Sequence, residues 1–273
     1  MQRLDPWQGH CRLQFFQQGE RTIHQGGCSA PFKLLRSEDG ADGRREIPLL
    51  HTAGGLVGGD QLNIDVALET NSHSLITSVA AQKVYGSVGR SRLTPQGSWA
   101  RQHVNCQLGS HSDLEWLPQE LVVYANALYE QQLSVRLPKD ASFLGAEIVR
   151  LGRTAAGETL QQGRWRSSLS IQRVSANQSE PQSWELVDKL ELGNSSLNDL
   201  HGLHQQPVFG TLVWAAPMPL YAHILKDLIA AASEDREGLE GTMRCGGLPQ
   251  GFIARYAGPS LSLIHISEPT RRY

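Results

Sequence analysis

No Cys-x-x-Cys occurs in this chain of 273 residues, and its four cysteines, Cys11, Cys28, Cys106 and Cys245, are scattered along it. Structural zinc sites draw on closely spaced thiolates and imidazoles, so no stable metal site is expected. So few cysteines in so long a chain give no disulfide framework either, and buried free thiols are the expectation. An excess of one charge is also missing. The 25 Lys and Arg nearly balance the 27 Asp and Glu, which offers nothing to nucleic acid or to an anionic membrane. No apolar run approaches the roughly 20 residues that span a bilayer. The opening MQRLDPWQGH holds no apolar signal core, so the cytoplasm is the expected location. No Gly-x-Ser-x-Gly elbow organises a hydrolytic triad, and no other catalytic constellation stands out, so an enzyme is not expected.

What is present fits a soluble globular protein: 40% hydrophobic and 19% charged residues, with length enough for a sizeable core. Short alternating runs separated by turn residues read as strands. They include 13–16, 32–35, 75–79, 100–108, 121–128, 133–137 and 143–151, so the chain is expected to be mostly β with a few helices. The clearest helix is Tyr221–Ala232, where Ile224, Leu225, Leu228, Ile229 and Ala232 fall on one stripe. Ser195–Leu203 is a shorter candidate. Residues 37–46 and 177–182 read as loops.

The most informative stretch is His51–Glu69, HTAGGLVGGDQLNIDVALE. Leu62, Ile64, Val66 and Leu68 alternate with Gln61, Asn63, Asp65 and Ala67, which places one apolar face on a half-buried strand. Gly54, Gly55, Gly58 and Gly59 precede it in a tight turn whose backbone no Cβ would permit. A phosphate-cradling loop needs Gly-Lys-Ser/Thr before a helix, and a dinucleotide fingerprint needs a strand before its glycines. A calcium loop needs several spaced acids, and Asp60 is alone. From the residues alone the turn serves the backbone, with Asp60 placed to cap amides or face a cavity.

Two further stretches carry candidates. In Asp113–Glu120, DLEWLPQE, Trp116 reads as a core or interface anchor. Glu115 and Glu120 lie beside apolar residues and must be hydrogen-bonded, wetted or ligand-facing. In Leu151–Glu158, LGRTAAGE, Arg153 and Glu158 read as a turn-spanning ion pair. His201 and His204 have a helical spacing but no acid or thiol beside them, which makes a poor metal pair. His51 adjoins the glycine turn and could approach Asp60.

The stretch His51–Glu69, followed by Ala81-Gln82-Lys83-Val84-Tyr85, resembles the urease accessory protein D family, UreD (also UreH), which reads about H-P-P-G-G-[IL]-V-G-G-D and then A-x-K-[FV]-Y. Thr52-Ala53 stands where the family has Pro-Pro, and Ser78-Val79-Ala80 departs likewise. The L-E-W-L-P-Q-E run (Glu115, Trp116, Pro118, Gln119, Glu120) and L-G-R-x-A-x-G-E (Gly152, Arg153, Gly157, Glu158) also fit, and residues 27–32 fit loosely. The resemblance implies an irregular β-helical architecture and a urease maturation factor. It also implies UreF as a partner, the GTPase UreG through UreF, and apo-urease. No tightly bound cofactor is implied, only transient nickel. Asp60, Glu120, Glu158 and His51 are the candidates to face a wet nickel path, where weak borderline ligands bind and release. The alternatives are a rigid platform for UreF and urease, or a β-rich carbohydrate or protein binding module unrelated to urease. Residues 1–260 are expected to form one UreD-like domain with its native C-terminus truncated. Residues 261–273, LSLIHISEPTRRY, read as a non-native tail.

Overall fold

Alternation of apolar and polar side chains is what a strand lying on a core requires, and it sets the architecture seen in the computed structural model. The structure describes residues 6–40, 42–175, 182–198 and 202–260. The strands begin with β1 (Gln8–Gln18), β2 (Arg21–Cys28), β3 (Phe32–Leu34), β4 (Glu38–Asp39), β5 (Arg45–His51) and β6 (Gln61–Leu68). They continue as β7 (His73–Ser78), β8 (Gln82–Val84), β9 (Ala100–Leu108), β10 (Asp113–Leu117), β11 (Leu121–Val123) and β12 (Leu128–Leu137). The last are β13 (Ser142–Leu151), β14 (Arg164–Arg173), β15 (Ser183–Gly193), β16 (Val208–Ala215), β17 (Thr242–Leu248) and β18 (Gly251–Gly258). The mostly β expectation holds.

Two sheets face each other. One has seven strands in the order β15-β14-β12-β9-β6-β1-β2. The other has eleven, along the path β17-β18-β16-β13-β10-β7-β5-β3 with β4, β8 and β11 beside it. From β5 to β14 the chain shuttles between them. β5, β7, β10 and β13 pair in parallel in one sheet, and β6, β9, β12 and β14 do so in the other. Antiparallel strands close both flanks.

The core lies between the sheets. Leu62, Ile64, Val66 and Leu68 of β6 are all buried, while the residues between them are half-exposed. Trp165, Tyr129, Phe15 and Phe143 are the bulkiest fully buried side chains, each stabilising the fold by about 1.5–3 kcal/mol or more relative to exposure.

Some boundaries differ from expectation. The run 121–128 breaks after Val123 because Asn126 takes a left-handed φ of 62°. Its carbonyl accepts the Ser87 and Val88 N–H groups. The expected helix appears as α1 (Ala222–Glu234), yet none of its residues is fully buried; of its stripe Leu225, Leu228, Ile229 and Ala232 are half-buried and Ile224 is exposed. Around 195 the chain forms a 3-10 turn, Asn194–Leu197. The rest of that expected helix at 199–201, residues 177–181 of the expected loop, His201 and the 261–273 tail lie outside the described residues.

A buried arginine joins the ends of the two sheets. Arg173 on β14 uses all five of its N–H donors. Nε bonds Glu185 of β15 at 2.9 Å, Nη1 bonds the carbonyls of Pro138 and Ala141, and Nη2 those of Ala216 and Gln250. Glu185 answers with its second oxygen on the Gln250 N–H. The pair's side chains are 4% and 1% exposed, so removing one partner strands the other charge in the core. Arg173→Met is therefore expected to lose about 3–5 kcal/mol in urea denaturation, and adding Glu185→Leu to recover part of it; equal losses in the single and double variants would contradict this.

Candidate functional site

The glycine turn is fixed from beneath by Asp60, which is 0% exposed. Its Oδ1 accepts the Trp7 N–H at 2.9 Å and its Oδ2 the Val57 N–H at 2.8 Å. Its backbone carbonyl accepts the Arg101 N–H at 2.8 Å, where β9 begins. The turn packs on the chain around β8. The Leu56 N–H donates to the Lys83 carbonyl at 2.7 Å, and the Tyr85 N–H to the Leu56 carbonyl at 2.9 Å. Two glycines make this approach possible. A Cβ on Gly55, whose φ is +147°, would lie 2.6 Å from the Tyr85 ring; one on Gly58 would lie 2.2 Å from Ser87 Oγ.

Beside the turn, Arg153 Nε donates to Glu158 Oε2 at 2.8 Å and Arg153 Nη2 to Glu158 Oε1. The guanidinium lies 4.9 Å over the Tyr124 ring, which meets Tyr85 edge-on at 5.1 Å. Hydrogen bonding from Arg153 holds the Glu158 carboxyl down at about 2. Elsewhere, buried Glu115 pairs with Arg44 at 3.0 Å. Both carboxylates are occupied by the protein itself.

Between the sheets lies a cavity of about 220 Å³. One end is lined by motif residues: His51, Gly54, Gly55, Lys83, Trp116, Pro118 and Gln119. Neither ring nitrogen of His51 has a partner among the described residues, and Phe32 meets the ring edge-on. Burial lowers the pKa of His51, against the opposing field of Asp60, so a neutral imidazole with a free lone pair borders the cavity.

The other end is lined by Gln131, Glu147 and Ser167. Ser167 Oγ donates to Glu147 Oε2 at 2.7 Å, and Gln131 Nε2 donates to the same oxygen. Glu147 as a whole is half-buried, and its carboxylate is desolvated by the surrounding protein. That burial pushes it up to about 7, and the two hydrogen bonds only partly oppose it. Glu147 also borders a second cavity of about 150 Å³ beneath α1, lined by Leu228, Phe252 and Tyr256 among others. One carboxyl thus stands in the wall between two hollows.

Of the acids expected to face a path, Asp60 and Glu158 are tied up in hydrogen bonds. Glu120 borders neither cavity; its carbonyl accepts the Gln82 N–H. Only His51 of that group lines the space. Glu147 is not among the residues that the motifs single out, yet its position is legible. It shares strand parity with the buried Phe143, Gly145, Val149 and Leu151, so a carboxylate points inward from an apolar strand. Among the described residues no three His, Cys, Asp or Glu side chains are grouped to hold a metal ion, and no helix is long and apolar enough to cross a membrane.

The motifs thus fix backbone corners around a hollow between two β-sheets. The family profile described as UreD urease accessory protein matches residues 8–265. Relatives named urease accessory protein UreD include one from Synechococcus sp. (strain WH7805), 67% identical over 265 residues, covering 95% of this chain and 83% of the relative. Another, from Synechococcus sp. (strain CC9605), is 68% identical over 260 residues with the same coverage. A third, from Prochlorococcus marinus (strain MIT 9303), is 55% identical over 262 residues, covering 93% and 87%. This chain belongs to the UreD family of urease accessory proteins. It is an accessory protein of urease maturation and not an enzyme.

Glu147 provides a direct check on the site's electrostatics. Its folded value lies above the ordinary 4.5, so the folded state binds more protons between the two values and stability falls as pH rises from about 4.5 to about 7. The loss is on the order of 3 kcal/mol. Glu147→Gln is expected to flatten this slope in denaturation measured across that window; an unchanged slope would place the carboxyl in water.

Proposed function

We propose that this chain is a cytoplasmic scaffold that binds UreF, through it the GTPase UreG, and apo-urease, and that nickel bound for the urease active site passes through its inter-sheet cavity. The observation that carries this reading is the unpartnered imidazole of His51 at one end of the cavity, with the enclosed carboxyl of Glu147 at the other. An imidazole and a carboxyl apart from one another suit a borderline dication in transit, since a grouped four-ligand site would retain it. Asp60 and Glu158 take a different part. Their carboxylates already hold the turn and the Arg153 cluster, which favours them as struts of the platform on which partners assemble. No tightly held cofactor belongs to this reading; nickel is cargo.

The two parts of the proposal separate experimentally. Co-expression with UreF from the same source, followed by gel filtration with mass detection, is expected to give co-elution of the folded chain. Absence of any complex would overturn the scaffold. His51→Ala with Glu147→Gln is expected to leave that complex intact while cutting nickel in the recovered urease by about tenfold or more, the scale of two lost ligand contacts. Full nickel loading through the double variant would end the passage reading and leave the platform.

A further inference from the structure

Cys11 and Cys28 are far apart in sequence but directly opposed in the fold, as Cα partners in the antiparallel β1–β2 pair. At the next position outward, the Ser29 N–H donates to the His10 carbonyl at 2.8 Å. Hydrogen-bonded and non-hydrogen-bonded pairs alternate along an antiparallel ladder, so Cys11 and Cys28 form a non-hydrogen-bonded pair, with Cα atoms about 4.5 Å apart and side chains on one face. That spacing falls within the roughly 4.4–6.8 Å that a disulfide bridges. Both thiols belong to one environment: Cys11 is 1% exposed within the core and Cys28 packs against that core, half-buried. Burial first, then the nearby Cys28, push the Cys11 thiol up to about 12. The other cysteines have no such partner. Cys106 lies opposite Val66 and Val135, and Cys245 opposite Ala254 in the other sheet.

We propose that Cys11 and Cys28 are a built thiol pair, a modification site that exchanges with a small disulfide of the glutathione class and closes β1 onto β2 through a cross-strand disulfide. Cys28, the more accessible thiol, attacks one sulfur of oxidised glutathione as its thiolate. The glutathione S–S bond breaks and one glutathione thiolate leaves, giving a mixed disulfide on Cys28. Cys11 then gives up its proton and attacks Cys28 Sγ, expelling the second glutathione thiolate. The pair is oxidised by two electrons, one glutathione disulfide is reduced to two thiols, and the two cysteine protons end on those thiols. The buried Cys11 makes the second step the slow one. The bond ties edge strand β2 to β1, the strand that follows the Trp7 N–H held by Asp60, and it stands independently of the nickel reading.

The test uses the full reduced chain incubated with oxidised glutathione, with thiol titration after denaturation and mass mapping of peptides. Two of the four thiols are expected to disappear, with a Cys11–Cys28 linked peptide, loss of two hydrogens in mass and no retained glutathione. The thermal midpoint is expected to rise by roughly 5–10 °C, as closing a loop of this size predicts. Cys28→Ser is expected to form no link, and Cys11→Ala to stall with glutathione on Cys28. The proposal is overturned if the folded wild-type chain keeps all four thiols, holds an adduct on Cys28 that never resolves, or links Cys106 or Cys245 instead.

Discussion

An enclosed carboxylate without hydrogen bonds would cost several kcal/mol, and the corner around Asp60 is built so that this cost never arises. Two backbone N–H groups from opposite sides of the turn converge on it, in charge-assisted bonds of the stronger kind. The consequence reaches far along the chain. Asp60 immediately precedes β6 and its carbonyl starts the bond to β9, so the corner fixes which residues of both strands turn inward. Strand parity leaves no middle course: a one-residue slip would send Leu62, Ile64, Val66 and Leu68 to the outer face. Each later passage between the sheets lays a parallel strand on the one before, and so inherits the parity set there. At the far end Arg173 and Glu185 perform the matching task, drawing backbone carbonyls from the ends of both sheets onto one buried guanidinium.

How much of this could be read from the residues depends on the range of the physics involved. Alternation is local, and strand β6, strand β9 and the helix near 222 were legible within a few residues. The motifs also pointed to one place: His51, Lys83, Trp116, Pro118 and Gln119 border a common cavity although they come from separate stretches. What the acids do was not legible, because a carboxylate's role depends on partners brought by folding. Glu158 meets Arg153 at short range, as the spacing suggested, but Glu115 meets Arg44 and Asp60 meets Trp7 across large separations. The opposition of Cys11 and Cys28 needs the hairpin register, which the weak Gly26-Gly27 pattern of β2 does not announce. Glu147 is the instructive case, since parity alone would have turned it inward.

The helix α1 shows the limit of periodicity as a guide to burial. Its apolar stripe is real, but the helix rests on β17 at Gly247, where a Cβ would come within 2.6 Å of Leu225 Cδ2. Leu228, Ala231 and Ala232 of the helix line the second cavity with Phe252, Ala254 and Tyr256 of the sheet, so part of the stripe faces that hollow.

That geometry bears on how a dication could be carried without being kept. Burial raises the Glu147 carboxyl to about 7, so near neutrality a proton is shared with the anion in this low-dielectric wall. An arriving divalent ion would compete with that proton, which lowers its net affinity at Glu147 compared with a standing carboxylate. His51, kept neutral by burial, offers a lone pair without charge repulsion. On the proposed reading, weak binding at both ends would follow from the same burial that raises one group and lowers the other, with no flexible or strained ligand set required.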